Sequence, residues 1–279
     1  MTTPGIEFYI LSYNNTFCAK YQIKTLRKFC LDPFKITILD SNCGEHPQQS
    51  AALEGLCKTE NIELIKMPNA LSLPRIENSD RLGLKLNYIF NELVKERKPA
   101  YFAFLDQDMF MFRPFRIIHF LDKHGMWGDV DETVKHKSPT IYKKDIVEGP
   151  WYLHPWLAFF KFDFVKDEEL DFRPYSCISK NDASDTGGAN WLTFFSKHPE
   201  LKKSDYWFRD NIKILFPFRE VSNAGPEKYK DQYFNYNGKV IYGQIQINND
   251  FIHMLNSPSD LFHPKVAFMA GFLENALNQ

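Results

Sequence analysis

Four short, almost wholly apolar segments within the first 125 residues constrain the fold more than any other feature. They are IEFYILS (6–12), KITILD (35–40), IELIKM (62–67) and YFAFLD (101–106). Segments of this kind are typical of strands that are covered on both faces. Between them lies helical spacing, most clearly over 79–97, where apolar residues recur every three or four positions behind Ser79, a candidate N-cap. Strands and helices in alternation predict an α/β fold with a mostly parallel central sheet flanked by helices.

The rest of the chain has a less regular pattern. A helix is predicted after Arg113, with Pro114 as its first residue and Gly125 as its stop. The polar stretch 127–155 is rich in turn residues and predicts a loop. Further strands are predicted at LAFFKF (157–162), IKILFPF (212–218) and KVIYGQIQI (239–247), and helices at GGANWLTFFSKHP (187–199) and VAFMAGFLENAL (266–277). No linker or internal repeat divides the sequence, so we expect one domain over residues 1–279.

Charge and cysteine content exclude several classes of function. The formal net charge of -1 gives no basic footprint for nucleic acid. No apolar run is long enough to span a membrane and the N-terminus does not resemble a leader, so we expect a cytoplasmic protein with no membrane span. The five cysteines have no C-x-x-C spacing, which argues against a disulfide framework or a zinc site.

Two acids, Asp106 and Asp108, stand near the middle of the apolar run FAFLDQDMFMF (102–112). In an α/β sheet, ligands bind beyond the carboxyl ends of the strands, and residues two apart in an extended segment point the same way. Two adjacent carboxylates repel each other unless a cation lies beside them. The pair therefore predicts an oxygen-ligated divalent metal, Mn²⁺ or Mg²⁺, with a solvated loop as the alternative.

The strand order, this D-x-D pair and the segment MPNALSLPRIENSDRLGLKLNYIF (67–90) together resemble the GT-A type glycosyltransferases. Because it contains a D-x-D pair, the chain resembles the family 2-like members in particular. The resemblance covers residues 6–125 well and the remainder loosely. It implies a Rossmann-like nucleotide-diphospho-sugar transferase fold and metal-dependent sugar transfer in glycan biosynthesis. Residues 1–125 would then bind a nucleotide-sugar donor, and residues 126–279 would bind the acceptor and close the site.

The resemblance also suggests which residues bind the donor. Base and ribose would lie against Ser12, Tyr13, Asn14, Asp40 and Asn42, and the nucleotide or sugar against Arg75, Asn78, Arg81 and Lys85. Asp108 would bind the metal directly, Asp106 would lie nearer the ribose or a metal-bound water, and Gln107 is counted with the donor contacts. Asp40 and Asn42 suit a uracil edge, which favours a UDP-sugar. Simpler readings remain open: a turn cap at Asp40 or Asn42, a plain helix start at Asn78, and a solvated face for Arg81 and Lys85.

Catalysis by inversion needs a base on the acceptor side. NDASDTGGANWL (181–192) offers Asp182 and Asp185, followed by Gly187 and Gly188, which allow close backbone approach to a ligand. Asp185 is the favoured base, and an Asx turn or helix cap is its structural alternative.

Two further segments contain candidate ligands. His253 in FIHML is the favoured third metal ligand, ahead of His263. Trp151, His154 and Trp156 lie together in EGPWYLHPWLAFF (148–160), where a loop could stack a sugar ring, although clustered tryptophans more often fill a core.

Three other functions fit the sequence less well. A phosphatase of the haloacid dehalogenase type places its D-x-D after the first strand rather than the fourth. A nucleotidyltransferase normally opens with a Gly-rich phosphate loop where this chain has LSYNNTF. A carbohydrate-binding protein with aromatic platforms leaves the buried acids unexplained. The sequence therefore favours a glycosyltransferase that passes a sugar from a nucleotide diphosphate to a glycan or other hydroxyl acceptor.

Overall fold

The computed structural model describes residues 4–42, 44–71, 78–132, 151–174, 185–202, 213–214, 233–236, 239–242, 245–247, 250–254 and 261–279. Its strands are β1 (Ile6–Ser12), β2 (Phe34–Asp40), β3 (Glu63–Lys66), β4 (Tyr101–Asp106), β5 (Met109–Met111), β6 (Met126–Glu132), β7 (Trp151–Lys161), β8 (Lys213–Ile214), β9 (Tyr233–Tyr236), β10 (Lys239–Tyr242), β11 (Gln246–Ile247) and β12 (Phe251–His253). Its helices are α1 (Thr16–Phe29), α2 (Pro47–Thr59), α3 (Asn78–Tyr88), α4 (Lys95–Arg97), α5 (Ile118–His124), α6 (Phe162–Val165), α7 (Asn190–Thr193) and α8 (Pro264–Asn278).

Among these residues, six strands form a central sheet in the order β3-β2-β1-β4-β7-β6. The first four are parallel to one another, whereas β7 runs antiparallel to β4 and β6 runs antiparallel to β7. The four strands predicted in the first 125 residues are therefore confirmed, and so is the mostly parallel sheet.

The sheet is covered on both faces because alternate residues of each strand point to opposite sides. On β1, Phe8 and Ile10 join one hydrophobic core with residues of α1 and α2, while Tyr9 and Leu11 join a second core with residues of α3. Within the described part of the chain, no helix combines the length and apolar character needed to cross a membrane.

The helix predicted over 79–97 is confirmed, with one irregularity. Helix α3 continues through a π-helical segment, Ile89–Val94, into α4, and the chain leaves it at Lys98 in a left-handed conformation. The prediction for Pro114 is wrong, since helix α5 begins only at Ile118. Phe115 is held in a parallel bridge with Cys30 instead. Gly125 ends this helix with φ 78°, as predicted.

The loop predicted over 127–155 is partly wrong, because its two ends form β6 and the first half of β7. Residues 133–150 between them lie outside the described part of the chain. The prediction failed because polar residues on these strands, including Asp129 and His154, resemble loop residues although they point toward other protein groups.

A smaller sheet lies beside the central one, in the order β5-β12-β11-β8 among the described strands. Among the described residues, β8 lies in the strand predicted over 212–218, and β10 and β11 lie in the strand predicted over 239–247. The helix predicted over 187–199 reduces to α7 and a 3₁₀ turn, Phe195–Lys197. Helix α8 is confirmed and packs on α1 and the small sheet through a third core cluster.

Candidate functional site

The carboxyl ends of β1, β2 and β4 meet at one edge of the central sheet. Ser12 is paired in register with Asp40, and Leu11 with Asp106. A cavity of about 340 Å³ opens there. Its lining residues are Leu11, Tyr13, Ser41, Glu45, Arg81, Leu82, Lys85, Asp106 and Gln107. The chain therefore has a ligand-sized cavity where α/β sheets bind their ligands.

Asp106, Asp108 and His253 converge at this edge. One ligand atom from each side chain lies within 4.8 Å of the others. His253 Nε2 lies 3.0 Å from Asp108 Oδ1. Backbone pairing brings the two segments together: His253 is in register with Met109, and the amide of Met254 donates to the carbonyl of Asp108 at 3.0 Å.

The charge at this cluster suits a cation. Burial and the neighbouring charge of Asp108 raise the pKa of Asp106 to about 6, although His253 acts in the opposite direction. Two carboxylate oxygens and an imidazole nitrogen form a mixed donor set that fits Mn²⁺, and Mg²⁺ through the carboxylates. The residues present therefore fit a divalent metal.

Gln22 on α1 supports the turn between the two acids. Its side chain is 1% exposed, and Nε2 donates to the carbonyls of Asp106 at 2.6 Å and Met109 at 3.0 Å. Sequence reasoning missed this residue, although a glutamine on the buried face of an amphipathic helix was a usable signal.

Lys265 is a second residue that sequence reasoning missed. It is fully buried on α8, where burial lowers the pKa of its ammonium group to about 8 and the nearby charges of Asp108 and Cys18 act to raise it. His263 precedes it as the N-cap of α8, and its Nδ1 accepts from the amide of Lys265 at 3.1 Å. Of the two candidate histidines, the structure places His253 beside the acids and His263 at a helix cap.

Asp40 and Asn42 hold the loop after β2. Asp40 Oδ1 accepts from the amide of Asn42 at 3.0 Å and from its Nδ2 at 2.6 Å, and Oδ2 accepts from Ser50 in a short bond. Asn42 Oδ1 in turn accepts from the amide of Asn14 at 2.7 Å. The structure thus uses both side chains as turn supports, and neither lines the cavity.

Tyr13 lies at the cavity itself. Its ring is 40% exposed, its amide donates to Gln107 Oε1 at 2.8 Å, and its hydroxyl donates to Glu45 at 2.9 Å. Gln107 therefore links the end of β1 to the turn that holds the acids. Ser12 is buried just before it.

Arg81 and Lys85 lie on the face of α3 that lines the cavity. The solvated-face alternative is wrong for Lys85, whose side chain is buried. Lys85 Nζ donates to Ser41 Oγ at 2.5 Å and lies 5.9 Å from the centre of the Tyr13 ring. Asn78 begins α3, whereas Arg75 lies outside the described residues.

Asp185 is held in place by Ser79, Thr186 and His154. Its Oδ1 accepts from Ser79 Oγ and from the amide of Thr186, both at 2.7 Å, and Oδ2 lies 3.7 Å from His154 Nε2. Burial acts to raise the pKa of this carboxyl, but His154, Ser79 and Thr186 together hold it well below its usual range. Asp182 lies outside the described residues.

The predicted glycines and aromatic residues have mainly structural surroundings. Trp151 is 2% exposed and packs on Phe195 in the core, so the prediction that it stacks a sugar is wrong. Gly187 has φ 95°, and an added Cβ would lie 2.9 Å from Pro155 Cδ. The backbone of Gly187 therefore lies close to strand β7. The amide of Gly188 donates to the carbonyl of Asp185 at 3.0 Å.

No protein-family model and no curated protein sequence matches the chain. Among solved structures, an active-site mutant of LgtC superposes with a TM-score of 0.52 at 11% identity, over 98% of this chain and 95% of that one. The chain has the GT-A glycosyltransferase fold. Its D-x-D pair lies after β4 in this GT-A fold, at the cavity edge described above.

Two other solved structures overlap a smaller part of the GT-A fold. TarS of S. aureus has a TM-score of 0.36 at 14% identity and matches 60% of this chain. The mannosyltransferase PcManGT of Pyrobaculum calidifontis, in complex with GDP-Man and Mn²⁺, has a TM-score of 0.36 at 13% identity and matches 58%. The match spans only 30% of TarS and 46% of the mannosyltransferase.

Proposed function

We propose that the protein is a metal-dependent glycosyltransferase that moves a sugar from a nucleotide diphosphate donor to a hydroxyl group of a glycan or other acceptor. One observation carries the proposal: Asp106, Asp108 and His253 converge at the edge of a cavity of about 340 Å³, at the carboxyl ends of the parallel strands. The alternative, a carbohydrate-binding protein that acts through aromatic platforms, does not explain this ligand set.

The metal site and its surroundings suit a diphosphate leaving group. Asp106, Asp108 and His253 would hold Mn²⁺ or Mg²⁺, which offsets the negative charge that develops on the diphosphate as the sugar bond breaks. Lys265 adds a buried positive charge close enough to Asp108 to interact electrostatically with it. A metal held by these residues would stabilise the leaving group without any proton transfer.

Donor recognition is assigned to the cavity wall. Tyr13 offers an exposed ring face for a base, and Arg81 and Lys85 offer positive charge to phosphates or to a sugar. UDP is the first nucleotide to test, although Asp40 and Asn42 support the loop after β2 and do not line the cavity.

On the acceptor side, Asp185 is the proposed base of an inverting reaction, with His154 beside it. The low pKa of Asp185 keeps its carboxylate ionised at neutral pH. The carboxylate is therefore available to take the acceptor proton, but the same low pKa weakens it as a base. The backbone amide of Trp156 donates to His154 Nδ1 at 3.3 Å, so neutral His154 carries its proton on Nε2, toward Asp185.

Thermal unfolding with UDP, GDP and CDP, each with Mn²⁺ or with EDTA, tests the proposal. A nucleotide at a hundred times its dissociation constant should add about 2.7 kcal/mol to the free energy of unfolding. We expect one nucleotide to raise Tm only with Mn²⁺, and Asp108→Asn to abolish that shift. The proposal fails if no nucleotide raises Tm in the presence of metal and no nucleotide-sugar is hydrolysed. The anomeric configuration of the product, read by NMR, then tests inversion.

A further inference from the structure

The pairing of β6 with β7 is interrupted beside the metal site. Gly128 pairs with Ala158, but the next residue, Asp129, pairs with His154, so the three residues Pro155 to Leu157 have no partner on β6. The strands approach closely at this point, because a Cβ on Gly128 would lie 2.2 Å from the carbonyl oxygen of Leu157. The register shift is thus a β-bulge-like feature of the sheet, of the kind that redirects side chains next to functional sites.

Trp156 lies within this interruption and is anchored by a buried acid. Its indole Nε1 donates to Asp129 Oδ2 in a short hydrogen bond, and Asp129 is fully buried. A bond from an indole N–H to a carboxylate is charge-assisted and therefore among the stronger hydrogen bonds of proteins. The plane of the indole ring is fixed by this bond.

The anchored indole lies against His253. The two ring centroids are 4.1 Å apart, with 38° between the ring planes. Trp156 also borders Asp106 from the side of β7, across a small pocket that Pro155 and Leu105 help to line. The indole therefore contacts one member of the metal cluster and borders a second.

His253 needs such support because no residue in the described part of the chain hydrogen-bonds its second nitrogen. A metal-binding histidine usually has its other ring nitrogen hydrogen-bonded to a protein group, which fixes the orientation of the ring. Here Nε2 faces Asp108 at 3.0 Å, whereas Nδ1 is buried and no described residue forms a hydrogen bond with it. Ring contact with the indole restrains the imidazole instead.

We propose that Trp156, anchored by Asp129, is a positioning residue that fixes the imidazole of His253 for metal binding. The inference rests on the proposed metal site. It assigns Trp156 a different role from the sugar stacking that its sequence suggested, because its ring is largely buried against His253.

Mn²⁺ affinity, measured by electron paramagnetic resonance of the free ion, tests this role without any reaction. Trp156→Leu removes the ring and should weaken Mn²⁺ binding roughly 10- to 100-fold, the range found when groups that orient metal ligands are removed. Trp156→Phe keeps a ring but loses the anchor, and should weaken binding less. Asp129→Asn keeps an acceptor for the indole N–H and should weaken it least. Thermal unfolding in EDTA confirms that each variant is folded.

Trp127→Phe is the matched control, because Trp127 stands on the same strand as Asp129 but packs on Phe115 and Phe159. Its Mn²⁺ affinity should be unchanged. In a His253→Ala background, Trp156→Leu should cause no further loss, which a general structural defect would not reproduce.

Unchanged Mn²⁺ affinity in folded Trp156→Leu overturns the inference and leaves the metal site intact. Should that variant not fold, unchanged affinity in Trp156→Phe has the same meaning. Wild-type protein that binds no Mn²⁺ instead overturns the proposed metal site, and the inference with it.

Discussion

Gln22 shows how much of the site depends on single polar residues outside it. Its amide is buried on α1 and donates to the two carbonyls, of Asp106 and Met109, that flank the turn with Asp108. A buried carbonyl that loses its donor keeps the cost of its desolvation. The shape of the D-x-D turn therefore depends on a helix that is 84 residues away in sequence.

Gln22→Ala should lower the free energy of unfolding by about 1–3 kcal/mol, because it leaves buried carbonyls without donors. It should also weaken Mn²⁺ binding, because the turn that holds Asp106 and Asp108 loses its support. Gln48→Ala, at an exposed position of α2, is the control and should change neither quantity. Urea unfolding and Mn²⁺ titration measure the two effects. Equal stability of the two variants would contradict the role of Gln22.

At the scale of elements, Arg97 joins α4 to two strands of the sheet. Its guanidinium donates to Glu7 on β1 at 2.6 Å and to Glu63 on β3 at 2.5 and 3.0 Å. Hydrogen bonding from Arg97 lowers the pKa of Glu63 to about 2, against the opposing effect of burial. These ion pairs connect α4, at the end of the helical segment that begins with α3, to strands β1 and β3.

Arg97→Met should lower the free energy of unfolding at pH 7 by about 1.5–3 kcal/mol, the range for hydrogen bonds to charged groups. The folded pKa of Glu63 lies below its ordinary value of 4.5, so its contribution is fully present above pH 4.5 and is lost as pH falls toward 2. The difference between wild type and variant should therefore shrink across that interval. Urea unfolding at pH 7, 4.5 and 3 measures it. A difference that stays constant with pH would exclude the ion pair as its source.

The four parallel strands of the first 125 residues and the helix over 79–97 were predictable because buried parallel strands and amphipathic helices leave local patterns. The start of α5 was not, since it depends on Asp32, whose Oδ2 accepts from the amides of Ile117 at 2.6 Å and Ile118 at 3.2 Å. Strand β6 and the first half of β7 were missed for a related reason. Asp129 accepts a hydrogen bond from Trp156, and His154 faces Asp185. Only the tertiary structure shows that these polar side chains have partners within the protein.

At the scale of the whole molecule, the candidate metal site joins segments far apart in the sequence. Asp106 and Asp108 were predictable because acids inside an apolar run have few structural explanations. The sequence distinguished less clearly which of His253 and His263 is the third metal ligand, since both follow apolar or turn segments late in the chain. The small sheet decides between them by pairing β12 with β5, next to Asp108.

The two histidines offer a matched test of where metal binding is coupled to folding. Mn²⁺ at a hundred times its dissociation constant should stabilise wild type by about 2.7 kcal/mol, and each kcal/mol is worth roughly 2–4 °C in Tm for a chain of comparable size. His253→Ala should lose most of this shift because it removes a ligand. His263→Ala removes a helix cap, which costs about 1 kcal/mol of the free energy of unfolding. It should therefore lower Tm in EDTA yet keep the Mn²⁺ shift. The opposite result, a shift kept in His253→Ala and lost in His263→Ala, would move the metal from the strand end to the start of α8.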